Sequence, residues 1–507
     1  MKKTLTLLST SLALGGAFAQ QKPNVVYIMA DDIGFGDLSC YGATRIATPH
    51  TDALAESGVR FTNAHSAAAT STPSRYGMFT GEYPWRRNGT GIATGDAALI
   101  IKPHRYTVPK MMQEAGYVTG AVGKWHLGMG AETGAQNWND LVSPGPKEIG
   151  FDYSYIMAAT ADRTPCVFME NQRVVNLDPK DPIEVSYTKN FKGEPTGKDN
   201  PELLTKLKPS LNHGHDQSIV NGISRIGYMK GGKSALWEDE NIADSITVRA
   251  VRFIEENKDK PFFLYFGTND IHVPRYPHDR FRGKSGMGLR GDAILQFDWS
   301  VGEVVKALKD AGVFENTIII ITSDNGPVVD DGYADESVEK LQNHKPWGPF
   351  RGGKYSTFEA GTRVPFIVHW PGEVQQKVSN ALVSQIDMLA TLADLTGVEV
   401  KDKDLSDSQN HLQTWLGKEM KGRDYVVGAG HSLTILTEEW KYIEPSKGIP
   451  YQALTNIELG NSSENQLYNI QRDRGEYDNV ADENQLIVRF LKQILDEEKE
   501  KGIGMEL

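Results

Sequence analysis

The chain contains very little cysteine: Cys40 and Cys166 are its only two among 507 residues. Two cysteines cannot build a disulfide framework, and they are too few for a metal site made of thiolates. A single disulfide between them would need an oxidising compartment. Two free, buried thiols are an equally good interpretation, so the sequence leaves their pairing open.

Heptads, short-period repeats, low-complexity tracts and blocks of Lys or Arg are also absent. The formal net charge is −12, which argues against nucleic acid or an anionic membrane surface as a partner. A chain with net negative charge is not expected to attract an anionic substrate over its whole surface. Basic residues that converge on one site therefore say more about a possible anion-binding site than the total charge does.

Residues 1–19 have the pattern of a signal peptide. A basic start at Lys2 and Lys3 precedes a largely apolar stretch, and a small-x-small cleavage signal ends at Ala19. The apolar stretch is too short to span a bilayer, and no cysteine follows the cleavage point to carry a lipid. We expect an exported chain that is periplasmic or extracellular and has no membrane insertion. A buried N-terminal helix is the alternative.

The length predicts two domains, and short apolar runs alternate with amphipathic segments as in α/β proteins. We predict strands at 25–29, 117–122, 261–266 and 317–322, and helices at 49–57, 108–115, 246–256 and 293–309. Residues 134–240, rich in Gly, Pro, Asn and Lys, are expected to form long excursions above the sheet. Beyond residue 372, a helix at 383–395 and short strands at 424–427 and 440–443 indicate a smaller α+β unit.

Residues suited to chemistry follow four of the predicted strands. These segments are Asp31-Asp32, Gly123 to His126, Asn269 to His272, and Ser323 to Gly326. Ligands of parallel α/β sheets bind beyond the carboxyl ends of the strands, so we expect these side chains to lie together.

Three carboxylates and one amide in these segments form an all-oxygen ligand set. The residues are Asp31, Asp32, Asp324 and Asn325, and such hard ligands suit Ca²⁺ or Mg²⁺. Taken separately, each pair also fits an ordinary turn at the end of a strand.

The segment from Ser71 to Gly81, STPSRYGMFTG, resembles the sulfatase signature, with Phe79 where Leu is usual. In that family the Cys or Ser at the first position is oxidised to formylglycine by a sulfatase-maturating enzyme. A signature that begins with Ser, as here, resembles the substrate of the anaerobic, radical-type bacterial maturating enzyme. We predict Pro73 at the first helical position, which would set residue 71 beside helix N–H groups that favour an anion. A Ser/Thr-rich helix cap is the alternative.

Further sulfatase motifs follow in register over residues 22 to about 480. They are GKWHLG at 123–128, IHVP at 271–274 (with Ile271 departing from the usual Pro), RGGK at 351–354 and QLYN at 466–469. The resemblance implies an alkaline-phosphatase-like fold, with a large mixed sheet flanked by helices and a C-terminal α+β domain with an antiparallel sheet. We place the catalytic domain at 20–375 and the C-terminal subdomain at 376–507.

The resemblance also implies a role for each motif residue. The residues that would hold Ca²⁺, together with residue 71, are Asp31, Asp32, Asp324 and Asn325. The formylglycine hydrate would be held by Arg75 and Lys124. His126 would act as the base and His272 as the acid, and Lys354 would bind the sulfate. One hydroxyl of the hydrate would attack sulfur and the other would expel the sulfate. An unmodified serine would instead leave a stable sulfate ester.

The implied substrate is a sulfated glycan, of the glycosaminoglycan or mucin type. Resemblance to bacterial enzymes akin to N-acetylgalactosamine-6-sulfatase favours 6-O-sulfated galactose or N-acetylgalactosamine. Polar residues of the inserted region that would read sugar hydroxyls, or else lie in surface loops, are Arg163, His213, His215 and Asp216. The alternatives are a phosphatase or phosphodiesterase of the alkaline-phosphatase superfamily, and a non-catalytic glycan-binding protein with unmodified Ser71.

Overall fold

A computed structural model describes residues 22–507 of the chain. The predicted signal peptide lies outside the described residues. Within 22–507, no helix is both long enough and apolar enough to cross a bilayer. Cys40 and Cys166 are both free thiols.

The described part of the chain contains twenty-two strands and ten α-helices, besides short 3₁₀ turns and loops. The strands are β1 (Asn24–Ala30), β2 (Val59–Phe61), β3 (Ala64–His65), β4 (Val118–Lys124), β5 (Tyr153–Met157), β6 (Phe168–Glu170), β7 (Arg173–Val174), β8 (Glu184–Ser186), β9 (Ile219–Val220), β10 (Ile223–Ser224), β11 (Tyr228–Lys230), β12 (Phe262–Gly267), β13 (Thr317–Ser323), β14 (Phe366–His369), β15 (Lys377–Ser379), β16 (Val383–Ser384), β17 (Val426–Ala429), β18 (Leu433–Leu436), β19 (Trp440–Ile443), β20 (Tyr451–Gln452), β21 (Ile457–Glu458) and β22 (Gln466–Asn469). The helices are α1 (Pro49–Glu56), α2 (Ser71–Thr80), α3 (Val108–Glu114), α4 (Ile242–Asn257), α5 (Gly288–Asp310), α6 (Glu359–Thr362), α7 (Met388–Thr396), α8 (Asp402–Leu405), α9 (Leu412–Trp415) and α10 (Gln485–Glu500).

The core is a ten-stranded mixed sheet in the order β15-β2-β14-β13-β1-β12-β4-β5-β6-β7. Its centre, from β13 to β5, is parallel. The outer strands β14, β6 and β7 run antiparallel to their inner neighbours. Strands β1, β12 and β13 are buried throughout, which explains their nearly unbroken apolar sequences.

The four predicted central strands and the four helices before residue 310 are confirmed, with ends that shift by a few residues. The prediction of irregular excursions over 134–240 is wrong for β5, β6 and β7, which extend the sheet. Their apolar runs are short and lie among turn residues, so the local pattern is weak. The later pairs β8–β11 and β9–β10 lie outside the large sheet.

The helix predicted at 383–395 begins late. Val383 and Ser384 instead form β16, which pairs with β3. A 3₁₀ turn over Gln385–Asp387 then leads into α7. The Ser384 hydroxyl accepts a hydrogen bond from the Ile386 amide, and this local cap favours the turn over a helix start at Val383.

The C-terminal antiparallel sheet has the order β17-β18-β19-β22 and packs against α10. Its strand β19 was predicted at its observed bounds, whereas β17 begins two residues later than expected. Lys441 of β19 lies 3.0 Å from Glu359 and 3.1 Å from Glu476. This buried ionic cluster ties the small sheet to α6, which contains Glu359, and to the loop after β22, which contains Glu476.

Segments after residue 375 still pair with strands of the large sheet and pack against its helices. Strand β15 pairs with β2 at the sheet edge, and α7 packs against α2 and α3. The division at residue 375 stays a prediction, and these contacts favour a boundary after α7.

Candidate active site

Three parallel strands deliver four charged side chains to one end of the sheet. Asp31 and Asp32 follow β1, Lys124 ends β4 and Asp324 follows β13; all four are fully buried. The register pairs Ala30 with Ser323, so the acids at the ends of β1 and β13 lie side by side.

Helix α2 directs its N-terminus at this cluster. Ser71 is its first residue and Thr70 precedes it in extended backbone. The prediction that Pro73 opens the helix is wrong, since Pro73 is the third helical residue. Proline is tolerated there because the first N–H groups of a helix have no intrahelical acceptor.

The Ser71 hydroxyl is held by two side chains. Arg75, one turn later, donates from Nε to Ser71 Oγ at 2.9 Å, and His126 Nδ1 lies 3.2 Å from the same oxygen. The Ala93 carbonyl accepts from His126 Nε2 at 3.0 Å, which leaves Nδ1 as the acceptor nitrogen. Burial, reinforced by the charges of Lys124 and Arg163, holds the pKa of His126 well below its ordinary value. His126 is therefore a neutral base beside Ser71.

Two cations neutralise the acids behind Ser71. Arg75 donates to Asp324 Oδ2 at 2.8 Å, and its guanidinium also contacts the Tyr265 hydroxyl. Lys124 Nζ lies 2.6 Å from Asp31 Oδ2 and 3.5 Å from Asp324 Oδ2. These contacts engage Oδ2 of each carboxylate, while Asp324 Oδ1 accepts a hydrogen bond from the Asp32 amide at 3.3 Å.

Two buried oxygens of the expected metal set have no hydrogen-bond partner within residues 22–507: Asp31 Oδ1 and Asn325 Oδ1. The side-chain nitrogen of Asn325 donates to Asp32 Oδ1 at 2.7 Å. The side-chain oxygen of Asn325 accepts no hydrogen bond from the described residues. Ligand atoms of Asp31, Asp32 and His272 lie within 4.8 Å of one another. Unpartnered hard oxygens in a buried acidic group fit a divalent cation such as Ca²⁺.

A cavity of about 70 Å³ opens above this group; we call it the active-site cavity. Residues that line it are Thr70, Ser71, Ile92, His126, Asp162, Arg163, His215, Ile226, His272, Asp331, Lys354 and Tyr355. Lys354 Nζ donates to Asp32 Oδ2 at 2.8 Å and to Asp331 Oδ2 at 3.3 Å. Burial lowers the pKa of Lys354, but the charges of Asp32 and Asp331 outweigh it and hold that pKa well above its ordinary value. Lys354 therefore presents a fixed positive charge to the cavity.

His272, like His126, lines the active-site cavity. Its Nδ1 donates to the Val273 carbonyl at 2.7 Å, and its Nε2 lies 3.9 Å from Asp32 Oδ2. Burial and the Lys354 charge lower the pKa of His272 to about 4. The imidazole is thus neutral near pH 7, and a bound sulfate would favour its protonated form.

Of the four sugar-reading residues that were predicted, Arg163 and His215 line the active-site cavity. His213 and Asp216 are not part of the lining. The His213 ring lies 6.4 Å from that of His215, and its Nε2 lies 4.0 Å from Asp330. Sequence reasoning missed Asp162, which accepts from Arg163 at 2.9 Å and bonds His215 at 3.1 Å. It also missed Asp331 and Tyr355. The only local signal for Asp162 was its position beside Arg163.

The sequence profile of the sulfatase family matches residues 23–398. The chain belongs to the sulfatase family. It is 53% identical to the N-acetylgalactosamine-6-O-sulfatase of Bacteroides thetaiotaomicron, over 94% of this chain and 93% of that protein. It is 31% identical to human arylsulfatase A, over 77% of this chain and 67% of the relative.

A solved structure from work on the metabolism of multiple glycosaminoglycans by Bacteroides thetaiotaomicron superimposes with a TM-score of 0.93. It is 53% identical and covers 95% of this chain and 100% of its own. This sulfatase has the alkaline-phosphatase-like fold that the motifs implied. It is a sulfuric ester hydrolase, which excludes a purely glycan-binding role.

Proposed function

We propose that this sulfatase removes the 6-O-sulfate from galactose or N-acetylgalactosamine in sulfated glycans, with a formylglycine derived from Ser71 and a bound Ca²⁺. The observation that carries the proposal is the Ser71 hydroxyl, held between Arg75 Nε and His126 Nδ1. The phosphatase alternative has less support, because such enzymes of this fold use an unmodified Ser or Thr with two transition metals.

The residues that would hold Ca²⁺ are Asp31, Asp32, Asp324, Asn325 and residue 71, and their hard oxygens fit it. When bound, the ion offsets negative charge on a sulfate oxygen and orients the nucleophile. The oxidised side chain supplies a hydrated aldehyde whose second hydroxyl allows release of the sulfate.

The remaining groups bind, orient and move protons. Arg75 holds the oxygen of residue 71 toward the cavity, and Lys124 holds Asp31 in place. His126 Nδ1 is the acceptor for a proton from residue 71. The fixed charge of Lys354 attracts the sulfate, and a proton held at His272 Nε2 would pass to the departing sugar oxygen, with Lys354 as a second donor.

The substrate proposal follows the 53% identical relative, which is named an N-acetylgalactosamine-6-O-sulfatase. Arg163 and His215 are suited to read sugar hydroxyls, since both line the active-site cavity. His213 and Asp216 would act only through a longer substrate.

The predicted signal peptide supports export to the periplasm or the extracellular space.

Pro73 and Arg75, which a maturating enzyme would read, are buried in the folded chain. We therefore infer that oxidation of Ser71 precedes folding.

Mass spectrometry of the tryptic peptide from Phe61 to Arg75, isolated from the native host, tests the modification directly. We expect Ser71 to have lost two hydrogens, and the same preparation to release inorganic sulfate from 6-O-sulfated N-acetylgalactosamine. Material from a host without a maturating enzyme is the control and should carry intact serine. Native protein with unmodified Ser71 that still releases sulfate would contradict the proposal.

We expect His272→Ala to lower kcat on an unactivated sugar sulfate by about 10²- to 10⁴-fold, the usual contribution of a positioned acid. An aryl sulfate with an acidic phenol needs no proton on its leaving oxygen, so its hydrolysis should fall much less. Parallel kinetics on the two esters measure the difference. Full turnover of the sugar sulfate by the variant would remove this role from His272.

A further inference from the structure

A second cavity, of about 340 Å³, opens beside the active-site cavity; we call it the Trp347 cavity. One wall comes from loops that follow β13, and the other from the β20–β21 hairpin and the loop after β22. Its lining includes Asp330 and Gly352, while their near neighbours Asp331 and Lys354 line the active-site cavity. The two cavities are therefore adjacent, and the volume is ordinary for a ligand site.

Aromatic side chains form the sides of the Trp347 cavity. Trp347 is half-buried, Phe350 is buried, and Tyr477 is 76% exposed. The Arg351 guanidinium lies 5.1 Å from the centre of the Tyr477 ring, a cation–π contact that orients this exposed ring. Large, rigid rings with one apolar face suit the flat face of a sugar.

A buried hydroxyl in the lining lacks a partner. Thr455 is 8% exposed and lines the Trp347 cavity. Its Oγ1 has no hydrogen-bond partner among the described residues. Buried polar groups of folded proteins are normally satisfied. A ligand hydroxyl in the cavity would satisfy this one.

The charges of the lining disfavour an anionic occupant. Arg351 donates from Nε and from a terminal nitrogen to the Glu458 carboxylate, each at 2.7 Å. Its other terminal nitrogen donates to the Glu476 carbonyl at 2.7 Å. The only arginine of the lining is thus engaged, and Asp330 adds a further acid. A uronate or a second sulfate would meet net negative charge there.

We propose that the Trp347 cavity binds an uncharged sugar linked to the sulfated sugar in the active-site cavity. The inference rests on the proposed function, because it assigns a neighbour to that substrate. The occupant would stack on Trp347 and Tyr477 and hydrogen-bond to Thr455. The enzyme would therefore prefer oligosaccharides with neutral neighbours over those with uronic acids.

The test compares kcat/KM on three kinds of probe: 6-O-sulfated N-acetylgalactosamine alone, the same sugar linked to galactose, and the same sugar linked to glucuronic acid. Each disaccharide is tested with its second sugar on either side of the sulfated sugar. We expect the galactose disaccharide to be preferred over the monosaccharide by about five- to tenfold, as one aromatic contact allows. Tyr477→Ala should bring this ratio close to one, and Thr455→Val should lower it about threefold.

Phe490→Ala is the matched control, since Phe490 is an exposed aromatic of α10, 61% exposed, outside the cavity lining; it should keep the wild-type ratio. Equal ratios in wild type and Tyr477→Ala, or a preference for the glucuronic acid probe, would overturn the inference. Failure to release sulfate from all three probes would instead count against the proposed function.

Discussion

Ser71→Ala is expected to abolish sulfate release, with kcat lower by about 10⁵-fold or more, as for the loss of other enzymic nucleophiles. The variant removes the oxygen that both Arg75 and His126 contact, at 2.9 and 3.2 Å. The neighbouring Thr72 hydroxyl does not replace it, because that hydroxyl donates to the His126 carbonyl. Sulfate release from a 6-O-sulfated sugar, followed by ion chromatography, measures the loss.

Folding of the Ser71→Ala protein should be nearly unchanged, because alanine is well suited to the first turn of a helix. Thermal unfolding checks this point. Ser300→Ala is a matched control, since Ser300 is a buried serine of α5 whose hydroxyl bonds Gln296 and Thr247 outside the site. A Ser71→Ala enzyme that keeps a tenth of wild-type kcat would show that residue 71 is not the nucleophile.

Much of the site could be predicted because parallel strands carry it. Each central strand is buried on both faces, so its apolar run is visible in the sequence, and the polar residues that follow must lie at one edge. This placed Asp31, Lys124 and Asp324 close together without any knowledge of loops. The structure adds which atoms pair and which oxygens stay free.

The rest of the cavity could not be predicted from local patterns. Asp162 and Asp331 belong to loops that have no periodicity, and they face the site through long-range packing. Asp162 bonds His215 at 3.1 Å, and Asp331 accepts from Lys354 at 3.3 Å. Such roles depend on contacts between residues far apart in the chain.

Gly123 illustrates a feature that the sequence shows but does not explain. A Cβ at this position would lie 1.9 Å from the carbonyl oxygen of Gly267, and the backbone φ is +100°. Only glycine lets β4 and β12 approach so closely at their ends. That approach sets Lys124 against Asp31, so the glycine contributes to the charge arrangement behind Ser71.

Removal of divalent cations is expected to lower both activity and stability. Chelation should reduce kcat by about 10²-fold or more, because a metal ion contributes several kcal/mol of charge stabilisation to such reactions. Return of Ca²⁺ at 100 times its Kd should stabilise the folded protein by about 2.7 kcal/mol. Asp31 Oδ1 and Asn325 Oδ1, both buried and unpartnered in the described chain, are the atoms that would gain a partner.

The Asp31→Asn variant distinguishes calcium binding at this site from calcium binding at any weaker site on the surface. The substitution keeps the shape of the side chain but removes the charge that an oxygen-bound cation needs, so Ca²⁺ should no longer raise the thermal unfolding temperature. Asp52→Asn, an acid that bonds Ser39 and Cys40 away from the cavity, should keep the full calcium shift. The unfolding measurement does not require an oxidised residue 71, so it tests the metal site apart from the chemistry. An identical calcium shift in Asp31→Asn and wild type would place the ion elsewhere.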